Sequence, residues 1–471
     1  MRSAERQGAE TQRHGDAARL SIKLSSGFAC LIALAVLSSV VESARAQQPA
    51  SIAAPQTGAG SSGVFIIRNA RIVTVSGAEI ENGTIVIRDG KIESVGASAD
   101  GPAGAQVVDG RGLTVYPGMI DAGTSIGLAE IGSGAPGTVD LTEVGEINPN
   151  AQAIVAVNPH SAHVNVTRVN GVTSVVTMPL GGIISGQAAV INLDGTTPGE
   201  MAVVPSAALV INFPRVSTAS VDALFNPVQG NITEAISARD RQLEQLRKTL
   251  RNAEVYGKAQ DAYSRDKTLP RPARDVGLAS LVPFVRGERP VILRADRENE
   301  IRAAILFAEE MRLRFIIFGG RDAWKVAALL KEKNVPVILT GVLSLPSRED
   351  DFYDTLYANA AALQQAGVRF CISTGSSGAN VRDLPFHAGM AAAFGLSRAE
   401  ALKAVTLYPA QILNLSDRLG SIEPGKMANL VITDGDLLEA RTHVRYLFIN
   451  GRQLPLTSRH TELYEQFKNR R

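Results

Sequence analysis

Between positions 64 and 95 the apolar residues come in short runs, 64–68, 71–75, 83–88 and 91–95, separated by Gly77, Asn82 and the pair Asp89-Gly90. Runs this close leave no room for helices between them and predict an antiparallel sheet, with Asp-Gly as a hairpin signal. After Asp109-Gly110-Arg111-Gly112 the rhythm changes. Apolar runs now fall at 114–120, 174–177, 189–193, 290–293, 314–318, 336–339 and 368–373, and helix-like patterns at 298–313, 323–333 and 354–366 lie between the later ones. Continuous apolar strands alternating with helices predict a parallel sheet covered on both faces. Seven such strands, with an eighth expected near 207–212, fit an α/β fold of the (β/α)8 TIM-like barrel type.

Two inserts interrupt this pattern. Residues 131–158 contain Gly, Pro and acidic positions and predict a long loop over one barrel end. Residues 232–267 are densely charged, with Leu243, Leu246 and Leu250 at helical spacing, and predict a helix with a solvated face. Near the end, Ser397-Arg398-Ala399-Glu400 is a capping box opening a helix, and Pro409 interrupts the run that follows. Strands return at 420–424, 430–433 and 444–449. Strands at both ends of a βα core predict a small composite β-sandwich beside the barrel. The expected organisation is a sandwich from 64–113 and 417–456, a barrel from 114–416 and a tail from 457–471.

The first residues form a separate segment. A polar leader with Arg13, Arg19 and Lys23 precedes a 14-residue apolar run at 28–41, and Ala44-Arg45-Ala46 follows. This is the order of a secretory signal peptide cleaved after Ala46, and the run is too short to span a bilayer, which takes about 20 residues. Residues 47–63 read as a flexible spacer. The expectation is a secreted or periplasmic protein with no membrane contact after processing.

Composition narrows the partners. The 471 residues hold 48 Lys+Arg and 46 Asp+Glu; the leader carries six and four of these, so the mature chain would hold 42 of each and be formally neutral. That balance excludes the basic footprint of a nucleic-acid binder. Two Cys, one of them in the leader, exclude a disulfide scaffold and a Cys-rich zinc site.

Several segments in order resemble the amidohydrolase superfamily, in its imidazolonepropionase-like branch. Val108-Asp109-Gly110-Arg111-Gly112 and Tyr116-Pro117-Gly118-Met119-Ile120-Asp121 resemble the approach to that family's first barrel strand. Gly171-Val172-Thr173-Ser174-Val175 resembles the second. Glu400-Ala401-Leu402, Pro409-Ala410, Leu419-Gly420-Ser421-Ile422-Glu423-Pro424-Gly425-Lys426 and Ala428-Asn429-Leu430-Val431 resemble its C-terminal part. The resemblance implies a metal-dependent hydrolase of non-peptide carbon–nitrogen bonds, with zinc or another divalent cation at the C-terminal ends of the barrel strands. It also implies ligands: a His-x-His pair after strand one, a His after each of strands five and six, and an Asp after strand eight. Here those places read Gly123-Thr124-Ser125, Leu293-Arg294-Ala295-Asp296, Phe318-Gly319-Gly320 and Ser373-Thr374-Gly375. Glycine offers a metal no side-chain ligand. No metal residue is therefore assigned, and no cofactor is expected beyond what the resemblance implies.

The remaining candidates are pocket residues for a small molecule: Thr124, Ser125, Arg294, Asp296, Thr374 and His387. Arg294 and Asp296 end a barrel strand, where barrel chemistry sits, although a mutual salt bridge accounts for them equally well. His387 follows strand eight on the same side, with a structural role as the bland account. His160 and His163 precede strand two and are expected on the opposite side of the barrel. Gln187 either donates to a ligand or packs under the long insert. Gly58-Ala59-Gly60-Ser61-Ser62-Gly63 fits G-x-G-x-x-G but precedes a strand, which argues against a dinucleotide site. Gly123-Thr124-Ser125-Ile126-Gly127 fits the G-x-S-x-G elbow, with Ser125 as nucleophile and His387 as base, but no helix pattern follows it. Two functions remain: hydrolysis of a small-molecule carbon–nitrogen bond, or a barrel that has lost catalysis and binds a ligand or partner.

Overall fold

The computed structural model describes residues 60–98, 101–132, 135–221, 227–346, 348–349, 351–375 and 378–470. The leader and most of the spacer lie outside these residues. Five strands come first: β1 (Phe65–Ile72), β2 (Ile80–Arg88), β3 (Lys91–Gly96), β4 (Gln106–Asp109) and β5 (Thr114–Pro117). The two runs expected at 64–68 and 71–75 are one strand, β1. Its register against β2 slips between Ile67 and Ala70, where Asn69 adopts φ 60°, so a local bulge produces the break in the apolar pattern.

The barrel follows as β6 (Met119–Thr124), β7 (Val172–Thr177), β8 (Ile184–Asn192) and β9 (Ala202–Asn212). A two-stranded ribbon, β10 (Ala219–Val221) with β11 (Pro227–Gln229), then leads to β12 (Val291–Ala295), β13 (Phe315–Gly319), β14 (Val337–Leu339) and β15 (Phe370–Ile372). The eight barrel strands run in the order β15-β14-β13-β12-β9-β8-β7-β6. This is the expected α/β barrel, and β9 is the eighth strand anticipated near 207–212.

One strand departs from the regular pattern. β8 is antiparallel to both β7 and β9. The reason is length: only residues 178–183 join β7 to β8, and a parallel crossover needs about a dozen residues. Gly181 and Gly182, at φ 80° and 58°, make that turn. The run at 189–193, expected as a parallel strand, is therefore the second arm of a hairpin.

Alternation explains how nearly continuous apolar strands bury both faces. Ile120, Ala122, Val176, Ala188, Val190, Val210, Ile292, Ile316, Ile338 and Cys371 point inward and fill the barrel. Met119, Val175, Leu209, Val291, Leu293 and Ile317 point outward against the helices. Helix Leu407–Ile412, with Leu415 and Leu419 beyond it, packs into the interior cluster and closes the N-terminal end. Pro409 lies in the first turn of that helix, where proline is tolerated, and so does not end it. Helix Ile232–Arg265 buries Leu246, Leu250, Ala253 and Gly257 and leaves most of its length in solvent. No helix among the described residues is long and apolar enough to cross a membrane.

The chain ends with β16 (Leu430–Thr433), β17 (Val444–Ile449), β18 (Arg452–Leu454) and helix Arg459–Phe467. These strands join the first five in one sheet, β18-β17-β16-β5-β1-β2-β3, with β4 beside β1. In a flat sheet β1 and β17 would be roughly 14 Å apart, three strand spacings. The rings of Phe65 and Phe448 instead meet edge-on at 5.1 Å, so the sheet curls onto its own apolar face and packs as a sandwich. β5 belongs to this sheet, which moves the barrel's start from 114 to Met119. The end of the expected spacer is also tied down: Ser61 exchanges backbone hydrogen bonds of 3.0 and 3.1 Å with Gln453.

Candidate ligand site at the barrel mouth

Among the described residues no backbone ladder closes the last barrel seam. β6 pairs with β7 and β15 with β14, and side chains join the two ends. Asp121 is fully buried in β6. Its carboxylate accepts from the Ser373 hydroxyl at 2.5 Å, the Thr374 hydroxyl at 2.5 Å, the Thr374 N–H at 3.2 Å and the Gly123 N–H at 3.2 Å. Burial pushes its pKa up to about 6, against the downward pull of these donors. Thr374 is thus held in the seam.

Above the seam the barrel centre is apolar. Phe318 and Met178 are both buried there, and the Arg294 guanidinium lies over the Phe318 ring, 5.1 Å from its centroid. Burial pushes Arg294 down to about 10, with Asp296 pulling the other way. Thr124 is buried, and its hydroxyl accepts from the Ile126 N–H at 3.2 Å. Ser125 is buried at a turn that no helix follows. His387 is buried in helix Leu384–Ala393 with no partner for Nδ1, and burial lowers its pKa to about 4, so it is neutral near pH 7. No hydrogen bond joins Ser125 to His387 among the described residues.

A cavity of 290 Å³ opens beside this centre, at the ends of β9, β12, β13 and β14. Arg215, Asp296, Arg297, Arg321, Asp322 and Arg348 line it. Of the residues singled out from sequence, Asp296 lines the cavity; Thr124 and Thr374 belong to the strand ends around the seam, Arg294 to the apolar centre and His387 to a buried helix. Asp322 and Asp351 lie 2.8 and 3.8 Å from Arg348. Burial raises the pKa of Asp296, while Arg321 and Arg215 act to lower it. Sequence reasoning missed Asp121 and the arginines. Arg321 and Arg215 follow the ends of β13 and β9 by two or three positions, a placement that could have flagged them.

Two further placements differ from expectation or resolve it. Helix Ala162–Arg168 runs antiparallel to the strands, so its first turn lies at the mouth end. His163 there approaches the Glu130 carbonyl at 3.2 Å and packs near Gly378, both on loops after strands, not on the far side of the barrel. Gln187 donates to the Pro149 carbonyl at 2.8 Å and accepts from Ser206, so it packs under the long insert.

A family model described as the amidohydrolase family matches residues 307–454. An imidazolonepropionase from Mesorhizobium japonicum is 27% identical over 408 residues, covering 80% of this chain and 93% of that protein. One from Rhizorhabdus wittichii is 26% identical over 408 residues, covering 78% and 92%. The crystal structure of an amidohydrolase from Thermotoga maritima superposes with a TM-score of 0.73 at 25% identity, covering 83% of this chain and 99% of that one. These likenesses support membership of the amidohydrolase superfamily.

Within the superfamily it is imidazolonepropionase-like, and the metal implied by that membership can be tested against the residues present. They do not fit it. A Cβ built on Gly123, the first place of the His-x-His pair, would lie 2.1 Å from a ring carbon of Phe318 and 2.9 Å from the Met178 methyl. Apolar packing thus fills the space a ligating side chain there would need. Strand β12 brings a buried guanidinium to the same region, which opposes a cation. β13 ends in Gly319 and Gly320. Among the described residues no three His, Cys, Asp or Glu side chains converge in a way that could hold a metal ion.

Proposed function

We propose that this amidohydrolase-superfamily barrel binds a small molecule at its mouth and does not hydrolyse it with a metal-bound water. The observation that carries this reading is the packing of Phe318 and Met178 against Gly123, where the superfamily's metal pair would begin. Metal-assisted hydrolysis needs an open coordination position beside a polarised carbonyl, and a packed apolar centre offers neither. The cavity beside it keeps the usual location of barrel ligands, the loops at the strand C-termini.

The deciding experiment is elemental mass spectrometry of the purified mature protein, with a chelator-treated sample as control. Less than a tenth of an equivalent of zinc, iron or manganese, with an unchanged melting temperature after chelation, supports the reading. A stoichiometric metal whose removal lowers the melting temperature overturns it.

One observation favours a second reading. The likeness to the two imidazolonepropionases spans 92–93% of their length, so the frame of a hydrolase is retained. On this reading the chain cleaves a small-molecule carbon–nitrogen bond by acid–base chemistry at Asp296, whose raised pKa suits proton transfer. Turnover of lactams or cyclic amides that disappears in Asp296→Ala supports it; no turnover above buffer removes it. We further propose export, from the leader order at the N-terminus; a secreted or periplasmic product beginning at Gln47 is the expected result of N-terminal mass analysis.

A further inference from the structure

We propose that the mouth cavity is a site for a small zwitterion of the α-amino-acid type, with the ligand carboxylate on Arg215, Arg297 and Arg321 and its ammonium on Asp296. The proposal rests on the reading of the barrel as a binding protein and names the ligand class of that site.

Four successive barrel loops each bring one arginine to the wall: Arg215 after β9, Arg297 after β12, Arg321 after β13 and Arg348 after β14. Their charges divide into two sets. Arg348 is engaged by Asp322 and Asp351, and Lys325 sits 3.4 Å from Asp322, so this part of the wall is neutralised within the protein. Arg215, Arg297 and Arg321 make no ion pair among the described residues. They share the cavity with one remaining carboxylate, Asp296, and the excess positive charge calls for an anion.

Asp296 calls for a donor. It lines the cavity with its carboxylate, whose Oδ1, buried against Gly319, has no hydrogen-bond partner. Gly319 leaves room for the carboxylate. It adopts φ 111°, and a Cβ there would lie 2.5 Å from Asp296 Oδ1, so the seat exists only because residue 319 has no side chain.

One ligand meets both demands if a carboxylate and an ammonium lie side by side. Inorganic phosphate would satisfy the guanidinium groups but set its oxygens against Asp296. A diamine would satisfy Asp296 and meet the arginines. A dicarboxylate leaves Asp296 without its donor. The volume of 290 Å³ is at the lower limit of small-molecule sites, which suits a single amino acid better than a peptide.

The test is calorimetric titration and thermal shift of the mature protein with L-alanine and L-glutamate, beside succinate, 1,4-diaminobutane and inorganic phosphate. The expected result is one-site binding of an amino acid, with the three single-charge probes at least tenfold weaker. Asp296→Asn and Arg297→Gln are each expected to weaken amino-acid binding at least tenfold. Arg297 is exposed, so that variant keeps the fold and remains informative if Asp296→Asn is unstable. Equal binding of succinate or phosphate, or no binding by any probe, overturns the zwitterion site. Those results in a metal-free protein leave the wider function standing, whereas a stoichiometric metal removes that function first.

Discussion

At the residue scale, two buried groups titrate in opposite senses, and the sign of each follows from burial. Asp121 is an acid whose folded pKa, about 6, lies above its usual 3.8, so the folded state holds its proton more tightly than the unfolded state. Its contribution is full below about pH 4 and is lost as pH rises through about 6. His387 is a base whose folded pKa, about 4, lies below its usual 6.5; its contribution is full above 6.5 and lost as pH falls toward 4. Each shift corresponds to about 3 kcal/mol at most. The two slopes oppose each other between pH 4 and 6. Denaturant unfolding across that range is expected to show stability rising with pH in Asp121→Asn and falling with pH in His387→Gln. Parallel curves for both variants would refute the assignment.

Gly123 offers a second residue-scale test. Adding a methyl there drives it into the Phe318 ring, and overpacking of this kind costs about 1–3 kcal/mol. Gly123→Ala is therefore expected to be destabilised, and Gly123→Ala with Phe318→Leu to show a favourable coupling in a double-mutant cycle. Additive effects would mean that the two sites do not meet.

At the element scale, the seam between β6 and β15 is the weak join of the barrel. Side-chain bonds from Ser373 and Thr374 to Asp121 stand in for a strand ladder. Ser373→Ala removes one donor from a buried carboxylate and is expected to cost about 1–3 kcal/mol. Hydrogen exchange should rise first at β15, and uniform protection in the variant would show that the seam is held by something else. The β7–β8 hairpin is tight because β8 begins at Ile184, ahead of the run at 189–193 that the apolar pattern marks. It was missed because the repeating strand pattern on either side favoured a regular parallel barrel.

At the scale of the whole molecule, the outer sheet takes strands from both ends of the chain and is coupled to the barrel through a buried ion cluster. Arg168 is fully buried 3.7 Å from Asp194, which also accepts from Arg452 at 3.0 Å. Helix Arg459–Phe467, by contrast, buries no residue. Removing residues 457–471 is expected to shift the melting temperature by only a few degrees. Removing 417–471 takes β16–β18 from the sheet and is expected to abolish soluble, cooperative folding. A stable product of the longer deletion would show that barrel and sheet fold independently.

The sequence by itself determined most of the barrel strands and their order, although the run at 420–424 forms no strand and the expected tail carries a helix. Apolar runs and their spacing set the strands, Asp89-Gly90 set a hairpin, and motif order placed the chain in its superfamily. It also fixed which side chains stand at the strand ends, because strand alternation is a local property. Only the tertiary structure decided what meets there. Asp121 finds Ser373 and Thr374 some 250 positions away, Phe318 fills the space over Gly123, and four loops bring four arginines around Asp296. Contacts of that range depend on how the barrel closes, and no local pattern records which residues face one another across it.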